Sequence, residues 1–371
     1  MKKIGILTFH KVPNYGASLQ AFSLMNYIQK ICSDDKQVVL LDYSCHGNSN
    51  EFEPNNRFNI LSRNSNRIIK VIKRGLYEIK FGKSYRKKYK AFKEFSDKHL
   101  NIDDISDENS NVYECIFLGS DQIWNPKITN GYQKAYFGND RNIDSLFAAS
   151  YAASCGDIDE LTIDEKKDLL KLIQNVRYVG VREKSFYDWL KKSGVSCTHT
   201  IDPSFLLESD DYNKLLNITI TNEEQYVLEY ALQNDKELDL LAKKIAKDKG
   251  IKVKKICGYM DFKAKKGKGI FDAGVIEFLS LLANSQYVVT NSFHGVAFSL
   301  IYKKNFYVIL PVNRRSRILD LLEGLGIQDR LKYSNSDQMM DYKKIEPKLQ
   351  DMIDESKNYI CNILGAEFTN E

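Results

Sequence analysis

The chain has 371 residues, of which 43% are apolar and 28% charged, and a formal net charge of +5. This length suits two domains of roughly 150–200 residues each, and the composition excludes a disordered, fibrous or low-complexity chain. No run of about 18 apolar residues occurs, so no membrane-spanning helix is expected.

The first apolar run, residues 4–9, is too short for a signal sequence and has no cleavage site, which predicts a first β-strand in a cytosolic protein. Ala17, Ala21, Leu24, Ile28 and Ile31 then follow at intervals of three or four, the spacing of an amphipathic helix, before a second strand over 38–42. From Arg63 to Lys98 thirteen Lys/Arg face only Glu78, Glu94 and Asp97. Tyr85, Tyr89 and Phe92 recur there at helical spacing, so the stretch predicts a helix with one docked aromatic face. Its charge fits either a solvated helix face or contact with an anionic membrane surface or a diphosphate-bearing acceptor. No zinc finger, recognition helix or aromatic-basic motif accompanies it, so nucleic acid is not expected.

Further strands are predicted over 115–118, 146–151 and 176–181, several apolar on both faces as in a buried parallel sheet. After Asp202-Pro203 the alternation begins again, with strands over 226–230, 253–256, 287–290 and 306–310 and helices over 237–248 and 295–302. We expect an N-terminal α/β domain over 1–205 and a C-terminal one over 206–371. The last helix, 345–364, either stays with the second domain or packs back on the first.

The segment richest in chemistry is Thr290-Asn291-Ser292-Phe293-His294-Gly295, where a buried strand turns directly into an apolar helix. Ligands bind at the carboxyl ends of strands in open α/β sheets, and a helix start offers unpaired N–H groups to an anion. A histidine there can exchange a proton near neutral pH, or it can simply cap the helix. Gly295 would let the backbone approach a ligand. A second strand-end loop carries Asn14, Tyr15 and Gly16, which suit a sugar or phosphate but equally suit a turn and helix start. A third, Gly119 to Pro126, gathers Asp121, Gln122 and Trp124, where an indole could stack on a sugar ring or pack inward. Arg182 stands at a strand terminus, able to clamp a carboxylate or phosphate or to pair with Glu183. Arg314, Arg315 and Arg317 follow the strand over 306–310. The seven cysteines are dispersed without a C-x-x-C pair, and no metal-ligand cluster is evident.

In order, Asn14-Tyr15-Gly16-Ala17, Gly119 to Pro126, Ser150-Tyr151-Ala152-Ala153-Ser154, Val181-Arg182-Glu183, Asp202-Pro203 and Ser292-Phe293-His294-Gly295 resemble the polysaccharide pyruvyl transferase family. The resemblance covers residues 4–330 and implies two Rossmann-like lobes, GT-B-like, with a cleft between them. It implies transfer of a pyruvyl group from phosphoenolpyruvate, as co-substrate and without cofactor or metal, to two hydroxyls of a sugar. The product is a cyclic ketal in capsule, exopolysaccharide or cell-wall polymer synthesis. His294 would be catalytic. Arg182, Ser292, Phe293, Gly295 and Arg314 or Arg315 would bind the donor in the C-terminal lobe, with Arg317 competing for the last role. Asn14, Tyr15, Gly16, Asp121, Gln122 and Trp124 would be acceptor candidates. The resemblance implies a sugar acceptor, including a lipid-diphosphate-linked oligosaccharide, met in the cytoplasm or at the inner face of the membrane. Two other readings stay open: a nucleotide-sugar-dependent glycosyltransferase of the same fold, and a non-catalytic sugar-binding member of an assembly complex.

Overall fold

The computed structural model describes residues 2–43, 67–105, 112–140, 143–221, 223–258, 269–311, 315–331, 333 and 339–368. Cys45, Arg314 and residues 63–66 of the basic stretch lie outside these.

The strands β1 (Lys2–Leu7), β2 (Lys36–Leu41), β3 (Ile102–Asp103), β4 (Val112–Leu118), β5 (Asp144–Ala153), β6 (Tyr178–Val181) and β7 (Thr198–His199) form one sheet. Their order is β3-β2-β1-β4-β5-β6-β7, with every pairing parallel. A second parallel sheet has the order β11-β10-β8-β9, built from β8 (Tyr226–Ala231), β9 (Lys252–Cys257), β10 (Tyr287–Thr290) and β11 (Asn305–Val308). The fold is thus mixed α/β with two parallel sheets. Alternate residues of one strand enter opposite layers, which is why these runs are apolar throughout. Ile4, Ile6, Val38 and Leu40 pack on one face of the first sheet, and Leu7, Val39 and Leu41 pack on the other. The edge strands β3 and β7 have two residues each, too few to show an alternating pattern in the sequence.

The core that covers the first face of this sheet continues without a break under the second. Tyr15, in the helix Tyr15–Ile31, stacks on Phe278 at 4.4 Å between ring centroids, and Tyr212 meets Phe298 edge-on at 5.3 Å. Such pairs add about 0.5–1.5 kcal/mol each beyond the area they bury. The long helix Arg67–His99 docks through Tyr85 and Phe92, which are buried, while Tyr89 is half-buried. Several of its cations are engaged within the chain, Arg86 with Glu78, Lys87 with Asp272, and Lys88 over the Tyr15 ring. The final helix, Tyr342–Phe368, touches both layers. Near its start Tyr342 donates to the carbonyl of Ser299 at 3.1 Å, and farther along Tyr359 donates to that of Ser150 at 2.9 Å.

One boundary matters for the site. Ser292 is extended, with φ −112° and ψ 133°, and occupies the cap position, so the helix runs Phe293–Ile301 and starts two residues earlier than expected. His294 therefore sits in the first helical turn instead of the turn before it.

Candidate active site

Because every strand in both sheets is parallel, the loops that leave their carboxyl ends gather on one side of each sheet. Asn14 after β1, Asp121 after β4, Gln233 after β8, Asn291 to His294 after β10, and Arg317 beyond β11 line a common cavity of about 360 Å³. The carboxyl ends of the two sheets thus share one cleft.

His294 is 8% exposed, and its Nε2 has no hydrogen-bond partner and lies 3.8 Å from Oδ2 of Asp202. Burial pushes the imidazole below its ordinary value. The facing carboxylates of Asp202 and Asp121 pull it back only in part, against Arg317 and Arg182. At rest the ring is neutral. Gly16, in the first turn of its own helix, lies flat against this ring, and a Cβ there would overlap the imidazole. Gly16→Ala should therefore displace His294 and lower turnover by at least about tenfold, the scale a mispositioned catalytic group loses. Turnover and thermal melting measured together would check this; full activity in the variant would show that the ring position is not needed.

Asp202 is fully buried at the start of the 3-10 turn Pro203–Leu206. Its carboxylate accepts from Arg182 Nη1 at 2.8 Å, Ser204 Oγ at 2.7 Å and the Ser204 amide at 3.0 Å. Burial works against the charged form, but the cations of His294, when charged, and Arg182, with the Ser204 hydrogen bonds, hold it below its ordinary value. Arg182 also reaches Glu183 at 3.3 Å and Ser120 Oγ at 3.4 Å. Asp121, at a left-handed φ of 68° that aspartate tolerates better than most residues, lies 3.9 Å from both Arg182 and Arg317. The Phe293 ring centroid lies 5.5 Å from the Arg182 guanidinium and 5.6 Å from that of Arg317, two cation–π contacts on one ring.

Of the sequence candidates, Asn14, Asp121, Ser292, Phe293 and His294 line the cleft. Asn14 also caps its helix by accepting from the Gly16 and Ala17 amides, so part of its side chain is committed to the fold. Others are placed elsewhere. Trp124 is fully buried, stacks on Phe137 at 5.3 Å and donates its indole N–H to the Tyr136 carbonyl at 2.6 Å, so its ring is not presented to a sugar. Tyr15 lies in the core shared by both sheets, with its hydroxyl donating to the Ala273 carbonyl at 2.9 Å. Gln122 is buried and accepts from Asn125 Nδ2 at 3.1 Å. Gly295 makes its close approach to Thr290 of β10, where a Cβ would clash, and not to the cleft. Arg315 is exposed at the cap of the helix Ser316–Leu325, and it is Arg317, two residues on, that turns into the cavity. Arg182 bonds Asp202 and Glu183 through Nη1 and Nε, does not line the cavity, and keeps its Nη2 buried without a hydrogen-bond partner.

Nothing in the sequence spacing marks Asp202 as a partner for His294 and Arg182. Its only signal was the Asp202-Pro203 pair, a turn-initiating dipeptide. Asn291 has a structural task that spacing does not reveal: its Oδ1 accepts from the Leu232 amide at 2.8 Å and so ties the ends of β8 and β10 together. Among the described residues no helix is long and apolar enough to cross a membrane, and no group of three or more His, Cys, Asp and Glu is placed to hold a metal ion.

Solved structures are similar to this chain. Staphylococcus aureus MnaA with UDP is similar over 99% of this chain and 97% of its own, with a TM-score of 0.51 and 10% identity. UDP-GlcNAc 2-epimerase from Neisseria meningitidis bound to UDP-GlcNAc is similar over 98% of this chain and all of its own, with a TM-score of 0.49 and 11% identity. Escherichia coli heptosyltransferase WaaC with ADP-2-deoxy-2-fluoro heptose covers 84% of this chain and 91% of its own, with a TM-score of 0.38 and 11% identity. At such identities the likeness is one of fold, which is GT-B-like. No curated protein matches the chain. The profile of one family spans residues 14–311, which takes in the Asn14 loop, the Asp121 loop, Arg182, Asp202 and His294 in a single match, and the chain belongs to the polysaccharide pyruvyl transferase family.

Proposed function

We propose that the chain transfers the pyruvyl group of phosphoenolpyruvate to two hydroxyls of a sugar, closing a cyclic ketal and releasing phosphate. The observation that carries this reading is His294 itself. It is a buried, neutral imidazole with an unpartnered nitrogen, set in the first turn of a helix whose start has no side-chain cap, with Arg317 beside it in the cleft. Uncapped first-turn amides and a guanidinium are what a small trianion needs, and Arg317 can meet its carboxylate or phosphate in bidentate fashion.

The chemistry moves four protons: two leave the sugar hydroxyls, one joins the methylene carbon and one joins the departing phosphate. The methylene carbon of phosphoenolpyruvate gains a proton and becomes a methyl group, leaving a cationic C2. One sugar hydroxyl adds to C2 and gives up its proton. The C2–O bond to phosphate then breaks, phosphate leaves with the bonding pair, and the second hydroxyl adds and loses its proton. Neutral His294 accepts a hydroxyl proton. Asp202 and Asp121 stabilise the imidazolium so formed, which can return that proton to the departing phosphate. Arg182, held by Asp202 and Glu183, fixes Phe293 and the Asp202 carboxylate and acts as a positioning residue. The acceptor enters from the side of Asn14 and Asp121.

A phosphate-release assay with phosphoenolpyruvate and a panel of sugars and lipid-linked saccharides, with mass analysis of the product, tests the reading. Melting temperatures with phosphoenolpyruvate and with UDP-sugars separate it from a nucleotide-sugar glycosyltransferase, because a transferase of the proposed kind is stabilised by phosphoenolpyruvate. Stabilisation by the UDP-sugar alone would overturn it.

The protonation state of His294 can be read directly. Burial holds His10, His99, His199 and His294 all below the ordinary imidazole value, so in imidazole NMR the His294 signal is identified as the low-titrating ring that disappears in His294→Ala. Asp202 raises the affinity of that ring for a proton, so Asp202→Asn should move its titration to still lower pH. A shift upward would remove Asp202 from the account.

A further inference from the structure

A second and larger cavity, about 530 Å³, lies between the loop after β1, the end of β2 and the helix Arg67–His99. His10 lines it. This ring is 4% exposed, and its Nδ1 lies 3.0 Å from the Thr8 carbonyl. A carbonyl can only accept, so Nδ1 carries the proton, and burial holds the ring neutral. That leaves Nε2 as a bare acceptor, and it is buried without a protein partner. A buried acceptor of this kind is left to a small donor, a water or a ligand hydroxyl that reaches it from the cavity side.

The rest of the lining says which ligand. Lys11 and Lys93 are matched by Asp42 and Asp97, and Lys11 is already paired with Asp42. The cavity is thus rich in hydrogen-bonding groups but balanced in charge, which suits a neutral polyol and not a free anion. Tyr89, half-buried, adds an aromatic ring to the wall, and aromatic faces with carboxylate acceptors suit a sugar ring with its hydroxyls.

The two cavities are also neighbours. Residues His10 to Pro13 line the second and Asn14 lines the cleft of His294, with a tight turn between them in which the Asn14 amide donates to the Val12 carbonyl at 2.7 Å. The Cα atoms of Val12 and Asn14 can be no more than about 7 Å apart, a span that one pyranose ring covers.

We propose that the His10 cavity is a second saccharide subsite, which holds the sugar next to the one being pyruvylated, so that the acceptor is an oligosaccharide rather than a free monosaccharide. This rests on the pyruvyl-transfer reading for the order of the sugars, but not for the binding itself. The test is binding of mono- to tetrasaccharides of hexoses and N-acetylhexosamines to the full chain, by ligand-observed NMR, alongside phosphate release with the same panel.

Oligosaccharides should bind at least tenfold more tightly than their terminal monosaccharide. Tyr89→Ala and Asp97→Asn, the latter at an exposed position that leaves the fold intact, should each abolish that advantage, while His294→Ala should keep it. Equal binding of mono- and oligosaccharides, an advantage that survives both variants, or no saccharide binding at all would overturn the proposal. Binding with the expected pattern but no phosphate release would overturn the pyruvyl-transfer reading and leave the subsite standing.

Discussion

His294→Ala should lower phosphate release in the presence of acceptor by about 10²–10⁴-fold, the range that a positioned acid–base group contributes. The same substitution should not weaken the fold. The imidazole is buried with an unpartnered Nε2, so its removal breaks no hydrogen bond at that atom and relieves the cost of keeping a bare polar group out of water. Alanine is also a better helix former than histidine at this position in Phe293–Ile301. Phosphoenolpyruvate should still raise the melting temperature of the variant, because Arg317 and the first-turn amides remain. Loss of turnover with donor binding kept is the pattern of a group that acts in the transition state. Turnover close to wild type would end the assignment, and loss of donor binding together with turnover would recast His294 as a donor ligand.

The sequence showed where chemistry could gather better than which atoms do the gathering. The loops at Asn14, Asp121 and Ser292 follow short apolar runs that are visible as strands, and parallel sheets place such loops together regardless of their detail. Side-chain direction within a loop is another matter. Asp121 sits at φ 68°, a backbone twist that no spacing rule announces, while Trp124, three residues on, enters the core and stacks on Phe137. Tyr15 and Gly16 are adjacent in one helix, yet Tyr15 fills the shared core and Gly16 meets the His294 ring. Both contacts bridge more than 250 positions of the chain, so local periodicity carries no trace of them. The choice among the arginines after β11 depended on where the helix Ser316–Leu325 begins. One residue of shift rotates a helical side chain by about 100°. Arg315 at the cap points to solvent, and Arg317 in the first turn points into the cleft.

Arg182 and Arg317 should separate cleanly when each is replaced by alanine. Arg182 is 6% exposed and bonded to the buried carboxylates of Asp202 and Glu183, so Arg182→Ala leaves two acids in the interior without their cation. Breaking a buried ion pair from one side costs about 3–5 kcal/mol, which a urea midpoint would register as a large fall. Adding Asp202→Asn should recover part of that loss, since it removes one of the stranded charges and couples non-additively with the first change. Arg317 lines the cleft from the second residue of its helix, and its removal strands no fully buried acid. Arg317→Ala should therefore leave the urea midpoint near wild type. It should raise KM for phosphoenolpyruvate by about ten- to a hundredfold, the equivalent of losing one charge-assisted hydrogen bond worth about 1.5–3 kcal/mol. The opposite outcome, a stable Arg182→Ala protein with a raised KM and an Arg317→Ala protein that binds the donor normally, would return the anion-binding role to Arg182. We give the donor to Arg317 because Arg317 lines the cavity, whereas the charge of Arg182 is largely offset by the two buried carboxylates bonded to it.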